Sequence, residues 1–183
     1  MPILVAGILL TVVVSGCLES EGLITGQAND KVLSDEDFPE NWTAYDKGNP
    51  GFNLCNNSVE FHYAPQGDYN EYLPQGRIVI AIYEEDITFP NGTVWSPIQQ
   101  SEWIYGAIKE DNRELTPIDL GDEGYYFLQN YSFQEVQYTT AIYAFRAKNV
   151  WVHFNFIKVD SSYIPYWGWM EDLVRLQESL IFG

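Results

Sequence analysis

Hydrophobic and polar residues alternate along several short segments of the chain, with the period of two that β-strands show. From Val59 to Tyr63 the apolar side chains alternate with Glu60 and His62, which predicts a half-buried strand. The β-branched run from Arg77 to Tyr83 predicts a strand that is buried more deeply. Further strands are predicted at Trp42 to Tyr45, Ile118 to Leu120, Tyr125 to Leu128, Gln137 to Arg146 and Val150 to Val159.

The two longest of these runs are separated only by Ala147, Lys148 and Asn149. A connection of that length is typical of a β-hairpin. We therefore expect the strands on either side of it to pair antiparallel.

A helix is predicted from residue 96 to about residue 110. Ser96 stands at the N-cap, Pro97 at the first helical position and Gln99 at the third, which together form a capping box. The residues that follow at helical spacing are Ile98, Ser101, Ile104, Tyr105 and Ile108.

A second helix is predicted from residue 162 to residue 181, with Ser162 as N-cap and Pro165 in the first turn. Its apolar stripe consists of Tyr166, Trp169, Met170, Leu173, Leu176 and Leu180. Strands joined by short turns, with two helices inserted, predict an α+β domain with a mainly antiparallel sheet. We expect both helices to pack on one face of that sheet.

The first residues form an uncharged apolar segment that ends at Ser15, Gly16 and Cys17. This segment resembles the signal peptide and lipobox of a prokaryotic lipoprotein, in which cleavage before the cysteine lets its thiol carry a lipid. The apolar stretch from Ile3 to Val14 has 12 residues, which is short for a membrane span and suits a signal peptide. The alternatives are a short uncleaved membrane helix and an apolar strand of the core.

The lipoprotein resemblance implies a division of the chain and a location. Residues 1–16 are expected to be the signal peptide. The polar composition of the following stretch predicts a tether at residues 17–30, and the length of the rest predicts one globular domain at residues 31–183. The mature protein is expected at the cell membrane, facing outside the cytoplasm and anchored through Cys17. Because a single acyl chain binds a membrane only marginally, we expect two chains on that cysteine.

The balance of charge excludes one class of partner. The chain has 26 Asp and Glu against 9 Lys and Arg, for a net charge of -17. Such a surface repels the phosphates of nucleic acids, so no nucleic acid is expected to bind. With Cys17 carrying lipid, Cys55 has no partner for an intramolecular disulfide and is expected to be a small buried hydrophobe.

Four Asn-x-Ser/Thr sequons begin at Asn41, Asn56, Asn91 and Asn130. Chance predicts roughly one in a chain of this composition. They are candidate glycosylation sites on surface loops or turns, and the alternative is coincidence. Sequons together with a lipobox resemble an archaeal envelope protein.

The sequence predicts no catalytic residue, cofactor or metal site. Both histidines, His62 and His153, fall within predicted strands, where a hydrogen-bonded structural role is more common than a catalytic one. The chain has no Gly-x-Ser-x-Gly motif, no zinc-binding spacing and no calcium loop of the EF-hand pattern. Near the C-terminus, Trp167 lies off the apolar stripe and is a candidate ligand contact.

Three segments, Leu33 to Trp42, Leu120 to Gly124 and Phe145 to Val150, resemble landmarks of small extracytoplasmic lipoprotein and sensor-type domains of bacteria and archaea. The resemblance implies an antiparallel sheet with a cleft and a non-enzymatic binding or sensing role. The ligand would be a small molecule, a glycan or another envelope protein.

Two other functions remain open. The alternative to a binding role is a cell-envelope hydrolase that uses paired carboxylates, and a purely structural surface role is a third. The positions of Glu60, Asp86, Asp122 and His153 distinguish a binding domain from a hydrolase.

Overall fold

The computed structural model describes residues 22–40, 42–48, 55–65, 75–111, 115–133, 135–159 and 168–183. The main sheet has seven strands, and every neighbouring pair is antiparallel. Its strands are β1 Trp42–Gly48, β2 Ser58–Pro65, β3 Gln75–Ile82, β6 Thr116–Ile118, β7 Glu123–Phe133, β8 Val136–Ala147 and β9 Val150–Val159. The remaining elements that the structure describes are the short pair β4 Ile87–Thr88 and β5 Val94–Trp95, the helices α1 Pro97–Asp111 and α2 Gly168–Phe182, and two short 3-10 helices at Ala28–Lys31 and Asp35–Asp37. The strand order across the main sheet is β1-β2-β3-β9-β8-β7-β6. The prediction of an α+β fold with a mainly antiparallel sheet is confirmed.

The predicted hairpin between the two longest runs is present as β8 and β9. Lys148 and Asn149 form its turn, and Lys148 adopts the left-handed conformation with φ of 53°. The pairing runs from Ala147 opposite Val150 to Tyr138 opposite Val159. This hairpin lies in the middle of the sheet, between β3 and β7.

Both faces of the central strands are buried. Along β3, the side chains of Ile78, Ile80 and Ile82 lie in one core, and those of Val79 and Ala81 lie in the other. Helix α2 contributes to the first core and α1 to the second, so we name the two sides the α2 face and the α1 face.

The expectation that both helices pack on one face of the sheet is wrong. Leu173 and Val174 of α2 belong to the core on one face, whereas Tyr105 of α1 belongs to the core on the other. The physical reason is the unbroken apolar run of β3, since a strand that is hydrophobic on both sides must be covered on both sides.

The buried stripe of α2 is rotated from the predicted one. Leu176 and Leu180 are 39% and 37% exposed, while Gln177 and Ile181 are buried. Gln177 tolerates burial because its Nε2 donates to the carbonyl of Lys31 at 2.5 Å and its Oε1 accepts from the amide of Leu33 at 3.2 Å. Met170, Leu173 and Trp169 pack in or against the core as predicted. The predicted first turn at residues 162–167 lies outside the described residues.

Helix α1 begins as predicted. The Ser96 amide donates to Gln99 Oε1 at 2.9 Å, and the Gln99 amide donates to Ser96 Oγ at 3.3 Å. Ser101 is fully buried, with its Oγ 2.6 Å from the carbonyl oxygen of Lys148. The start of α1 is therefore attached to the β8-β9 turn.

Residues 22–30, which the sequence assigned to the tether, contact the domain. The Ile24 amide donates to Asn149 Oδ1 at 2.8 Å, and Asn149 Nδ2 donates to the Ile24 carbonyl at 2.9 Å. Ala28 lies in the core on the α2 face. The domain therefore extends at least to Ile24, which shortens the segment available as a tether.

In the ranges that the structure describes, neither helix combines the length and the apolar character that a membrane crossing requires.

Candidate functional site

The four residues singled out by the sequence lie at three separate places. Glu60 and His153 lie on the α1 face, on β2 and β9. Asp122 immediately precedes β7, and Asp86 follows β3 near the small β4-β5 pair. Glu60 and His153 lie on either side of Val79 in register, so these two can act on a common ligand.

Around Glu60 the α1 face carries a cluster of polar side chains. The Glu60 cluster comprises Glu60, His62, Arg77, His153 and Asn155. Its members occupy two adjacent rows across β2, β3 and β9: Glu60 and His153 both pair with Val79, and His62 and Asn155 both pair with Arg77. The alternation of β2 that the sequence showed places Glu60 and His62 here, because residues two apart share a face.

Glu60 is the centre of the hydrogen bonding. Its Oε1 accepts from Arg77 Nε at 2.5 Å and lies 2.6 Å from His62 Nε2, and its Oε2 accepts from Arg77 Nη2 at 2.9 Å. The carboxylate thus holds the guanidinium in a fork with two bonds. The outer rim is more open: the side chains of Arg77 and His62 are 39% and 30% exposed, against 14% for Glu60.

The charges of the cluster favour recognition over proton transfer. The Arg77 guanidinium holds the pKa of Glu60 below its usual value, despite the opposing effect of burial. Burial, together with the positive charge of Arg77, lowers the pKa of His153 from 6.5 to about 4. At pH 7 the cluster therefore contains a carboxylate, a guanidinium and a neutral His153, and both Glu60 and His153 are weak bases.

Two members of the cluster have unused hydrogen-bonding capacity. The Oδ1 of Asn155 is buried without a hydrogen-bond partner. Within the described part of the chain, the His153 imidazole makes no side-chain hydrogen bond, and its ring stacks on Trp151 at 5.6 Å between centroids. Buried polar atoms are normally paired, so the unpaired Asn155 Oδ1, two residues from His153 on the same face of β9, indicates a place for a polar ligand.

The local structure accounts for two groups of carboxylates that the sequence offered to a hydrolase. Asp122 Oδ2 accepts from Arg146 Nη1 at 3.2 Å and from the Lys148 amide at 2.6 Å, which makes it a turn-stabilising residue. Glu84, Glu85 and Asp86 are consecutive, and the other residues that line their cavity carry no carboxylate.

That cavity has a volume of about 250 Å³ and is also lined by Cys55, Tyr83 and Gln100. Cys55 is buried as predicted, and its Sγ is 3.2 Å from the carbonyl of Ile82. Burial raises the pKa of this thiol, so the nucleophilic thiolate is disfavoured. We therefore assign Cys55 a packing role.

Among the residues that the structure describes, no group of three or more His, Cys, Asp or Glu side chains is arranged to hold a metal ion.

The other predicted site residues have mixed positions. Asn56 and Asn91 are exposed in a bend and a turn, as expected for sequons, whereas Asn130 is exposed within β7 rather than in a loop. Its Oδ1 accepts from Thr139 Oγ1 at 2.8 Å. Cys17, Asn41 and Trp167 lie outside the described residues.

A row of aromatic rings near the start of α1 did not stand out in the sequence. The rings of Phe89 and Trp95 are 4.8 Å apart, and those of Trp95 and Trp103 are 5.7 Å apart. Trp103 is 48% exposed and the neighbouring Val94 is 51% exposed. The available signal is helical spacing, because Trp103 is two positions after the inward-facing Ser101 and so lies on the outer side of α1.

Arg77 and Asn155 were also missed as site residues. Arg77 begins an apolar run and Asn155 separates Phe154 from Phe156, so each is a single polar residue at a strand position with buried neighbours. Comparisons with protein-family models, with curated proteins and with solved structures found no match to this chain.

Proposed function

We propose that this chain is a lipid-anchored domain outside the cytoplasm that binds a small polar molecule, without chemical conversion, at the Glu60 cluster. The observation that carries the proposal is the unpaired Asn155 Oδ1 beside His153, on the same face as the Arg77-Glu60 pair. The cluster combines a partly exposed cation and a neutral imidazole with an unpaired acceptor that lies buried beneath them, and one ligand could engage all three.

The chemistry of these groups favours a ligand with both a carboxylate and an N–H group, such as an amino acid or a short peptide. The ligand carboxylate would contact the exposed side of Arg77, which is fixed by Glu60. Its N–H group would donate to Asn155 Oδ1, which is paired in register with Arg77 and becomes accessible only if the side chains around it move. Tyr45, whose hydroxyl is 3.4 Å from His62 Nδ1, borders the same surface.

The position of the cluster is compatible with an anchor at Cys17. Arg77 is five residues from Ile82 along β3, which is about 17 Å at the rise of a strand. Ile82 lies opposite Val150 beside the β8-β9 turn, where the N-terminal segment also attaches. The cluster is therefore distant along the sheet from the β8-β9 turn, where the segment that leads to the proposed anchor attaches to the domain.

A thermal-shift screen tests the binding function. The lipidated protein in detergent is melted with free amino acids and glycyl dipeptides at millimolar concentration. We expect at least one compound to raise the Tm by a few degrees, because a ligand that binds only the folded state stabilises it.

Two variants locate the binding. Arg77→Gln is expected to abolish the shift, whereas Arg175→Gln, in an exposed pair with Glu171 on α2, keeps it. Asn155→Leu removes the unpaired acceptor at similar volume, so it is expected to keep the Tm of the free protein and to lose the ligand shift. A screen without any shift, or a shift that survives Arg77→Gln and Asn155→Leu, would contradict the proposal.

The anchor has its own test. Mass spectrometry of the N-terminal peptide from native membranes is expected to show two lipid chains on Cys17, and Cys17→Ser is expected to move the protein out of the membrane fraction. An unmodified Cys17 in the mature chain would refute the anchor without affecting the binding assay.

A further inference from the structure

Exposed hydrophobic side chains are concentrated at one end of the domain. The structure describes nine large hydrophobic residues that are well exposed, and six of them lie at the end of the sheet that carries the β8-β9 turn. These six, which we call the apolar end, are Leu23, Val94, Ile98, Trp103, Leu180 and Phe182.

On the α1 side, hydrogen bonds place these residues around the turn. Ser101 Oγ is 2.6 Å from the Lys148 carbonyl and 2.8 Å from the Ile98 carbonyl. Gln100 Nε2 donates to the Trp95 carbonyl at 3.2 Å, and the Trp95 ring contacts Trp103. Trp103 is two residues after Ser101, less than one helical turn, so the aromatic row begins close to the β8-β9 turn.

The last turns of α2 reach the same end from the α2 face. The Glu178 carboxylate accepts a hydrogen bond from the Gly121 amide, and the next residue, Asp122, donates its amide to the Arg146 carbonyl at 2.7 Å. Lys31 Nζ donates to the Ile181 carbonyl at 3.4 Å. Leu180 and Phe182 therefore end near the β8-β9 turn as well.

The chain that leads to Cys17 leaves from this end. Lys148 Nζ donates to the Gly22 carbonyl at 3.4 Å, and Asn149 holds Ile24 by two hydrogen bonds. Cys17 precedes Gly22 by five positions. Five residues span at most about 18 Å, so a lipid on Cys17 would hold the apolar end within that distance of the bilayer surface.

We propose that the apolar end is a membrane-contacting surface. The aromatic row of Phe89, Trp95 and Trp103, which shares Trp103 with the apolar end, would then lie in the interface of the bilayer close to the lipid anchor. This inference rests on the proposed lipid anchor. Indole rings favour the membrane interface because they combine a large apolar area with one N–H donor.

The charge of the domain limits the kind of lipid. Glu84, Glu85, Asp86 and Glu102 are exposed near the row, and the whole chain has a net charge of -17. Anionic headgroups would be repelled, so the contact is apolar and suits neutral or zwitterionic lipids. The anchor supplies the local concentration that such a shallow contact needs.

Quenching of tryptophan fluorescence by brominated lipid tests the inference. The lipidated full mature chain is reconstituted in phosphatidylcholine vesicles with and without bromine on the acyl chains. We expect brominated lipid to quench the emission, and Trp95→Phe with Trp103→Phe to lose most of that quenching. Trp169→Phe is the matched control, because Trp169 packs against Phe156 and Trp42 on the α2 face, and it is expected to keep the quenching.

The outcomes separate the membrane contact from the anchor. Protein that floats with vesicles and carries lipid on Cys17, but is not quenched through Trp95 and Trp103, overturns the membrane contact and leaves the anchor standing. The membrane contact is also overturned if brominated lipid quenches the Trp95→Phe, Trp103→Phe variant as strongly as the unsubstituted protein. A change in tryptophan emission on addition of maltohexaose or chitohexaose, without bromine quenching, would assign the row to a glycan. A mature chain without lipid on Cys17 removes the anchor and this inference together.

Discussion

The two faces of the sheet use the same strands for different purposes. On the α2 face the core is apolar and the buried amide of Gln177 has both ends paired, although the indole N–H of Trp169 at the edge of that core has no hydrogen-bond partner. On the α1 face an apolar core under α1 adjoins the Glu60 cluster, where charged groups lie on the sheet and Asn155 Oδ1 is unpaired. The comparison indicates that the α2 face is the more fully packed and paired one, whereas the α1 face keeps polar groups on the sheet that the proposed ligand would use.

A Phe→Ala substitution on each face is expected to change the free energy of unfolding more than any other variant described below. Phe154 is fully buried on the α2 face, and Phe154→Ala is expected to lower the free energy of unfolding by about 4 kcal/mol through lost burial and an unfilled cavity. Phe127 is 9% exposed on the α1 face, so Phe127→Ala removes somewhat less buried area and is expected to cost about 3 kcal/mol. Urea unfolding at pH 7 measures both, and equal losses would contradict the contrast.

The second test uses pH. His153 has a pKa of about 4 in the folded protein against an ordinary value of 6.5, so the unfolded chain binds more protons between these values. Its contribution to stability is fully present above pH 6.5 and is lost as the pH falls towards 4. From pH 7 to pH 5 the free energy of unfolding should fall by about 2 kcal/mol through this residue.

The variant His153→Gln should remove that part of the pH dependence. Glu60 has a lowered pKa, so its own contribution is lost only below its ordinary value of 4.5, which lies outside this window. The measurement is urea unfolding of both proteins at pH 5 and pH 7. An unchanged pH dependence in His153→Gln would show that His153 is not held neutral by the fold.

A third test asks whether the buried amide of the α2 face matters. Gln177→Ala leaves the Leu33 amide without its acceptor and the Lys31 carbonyl without its donor, at an expected cost of about 2 kcal/mol. The control Gln129→Ala changes an exposed residue of β7 and should cost less than about 0.5 kcal/mol. Thermal or urea unfolding distinguishes the two variants. If Gln177→Ala left the free energy of unfolding unchanged, the Gln177 amide would not contribute to the stability of the α2 face.

The smallest effect is expected for the exposed ion pair on α2. Arg175 Nη2 is 2.8 Å from Glu171 Oε1, and both side chains are more than 40% exposed. Solvent weakens such a pair, so Glu171→Gln should cost about 0.3 kcal/mol. High salt should reduce even this difference, and a cost near that of Gln177→Ala would mean that surface charge contributes more than expected.

Local patterns predicted the elements better than their packing. Alternation located β2 and the long hairpin, and a capping box located the start of α1 within one residue. The face on which each helix packs depends on residues distant in sequence, although the unbroken apolar run of β3 already indicated that both sides needed cover. The rotation of α2 followed from Gln177, whose burial depends on backbone groups at Lys31 and Leu33.

The candidate site was predictable only in part. Glu60 and His153 were candidate site residues in the sequence because they are titratable. Arg77 and Asn155 become site residues only when β2, β3 and β9 align in register. The hydrophobic pattern of a sequence does not specify which distant strands pair with one another. The apolar end was not predictable from the sequence for the same reason, because it forms where α1, α2 and the N-terminal segment come together from three distant parts of the chain.

Asn149 has a mechanical consequence. Its side chain is fully buried, and its Nδ2 donates to the carbonyls of both Ile24 and Tyr83, at 2.9 and 2.6 Å. Traction on the N-terminal segment would therefore load the centre of the sheet, at the turn between β8 and β9, instead of peeling away a strand at its edge. A domain pulled through its middle resists being unzipped strand by strand.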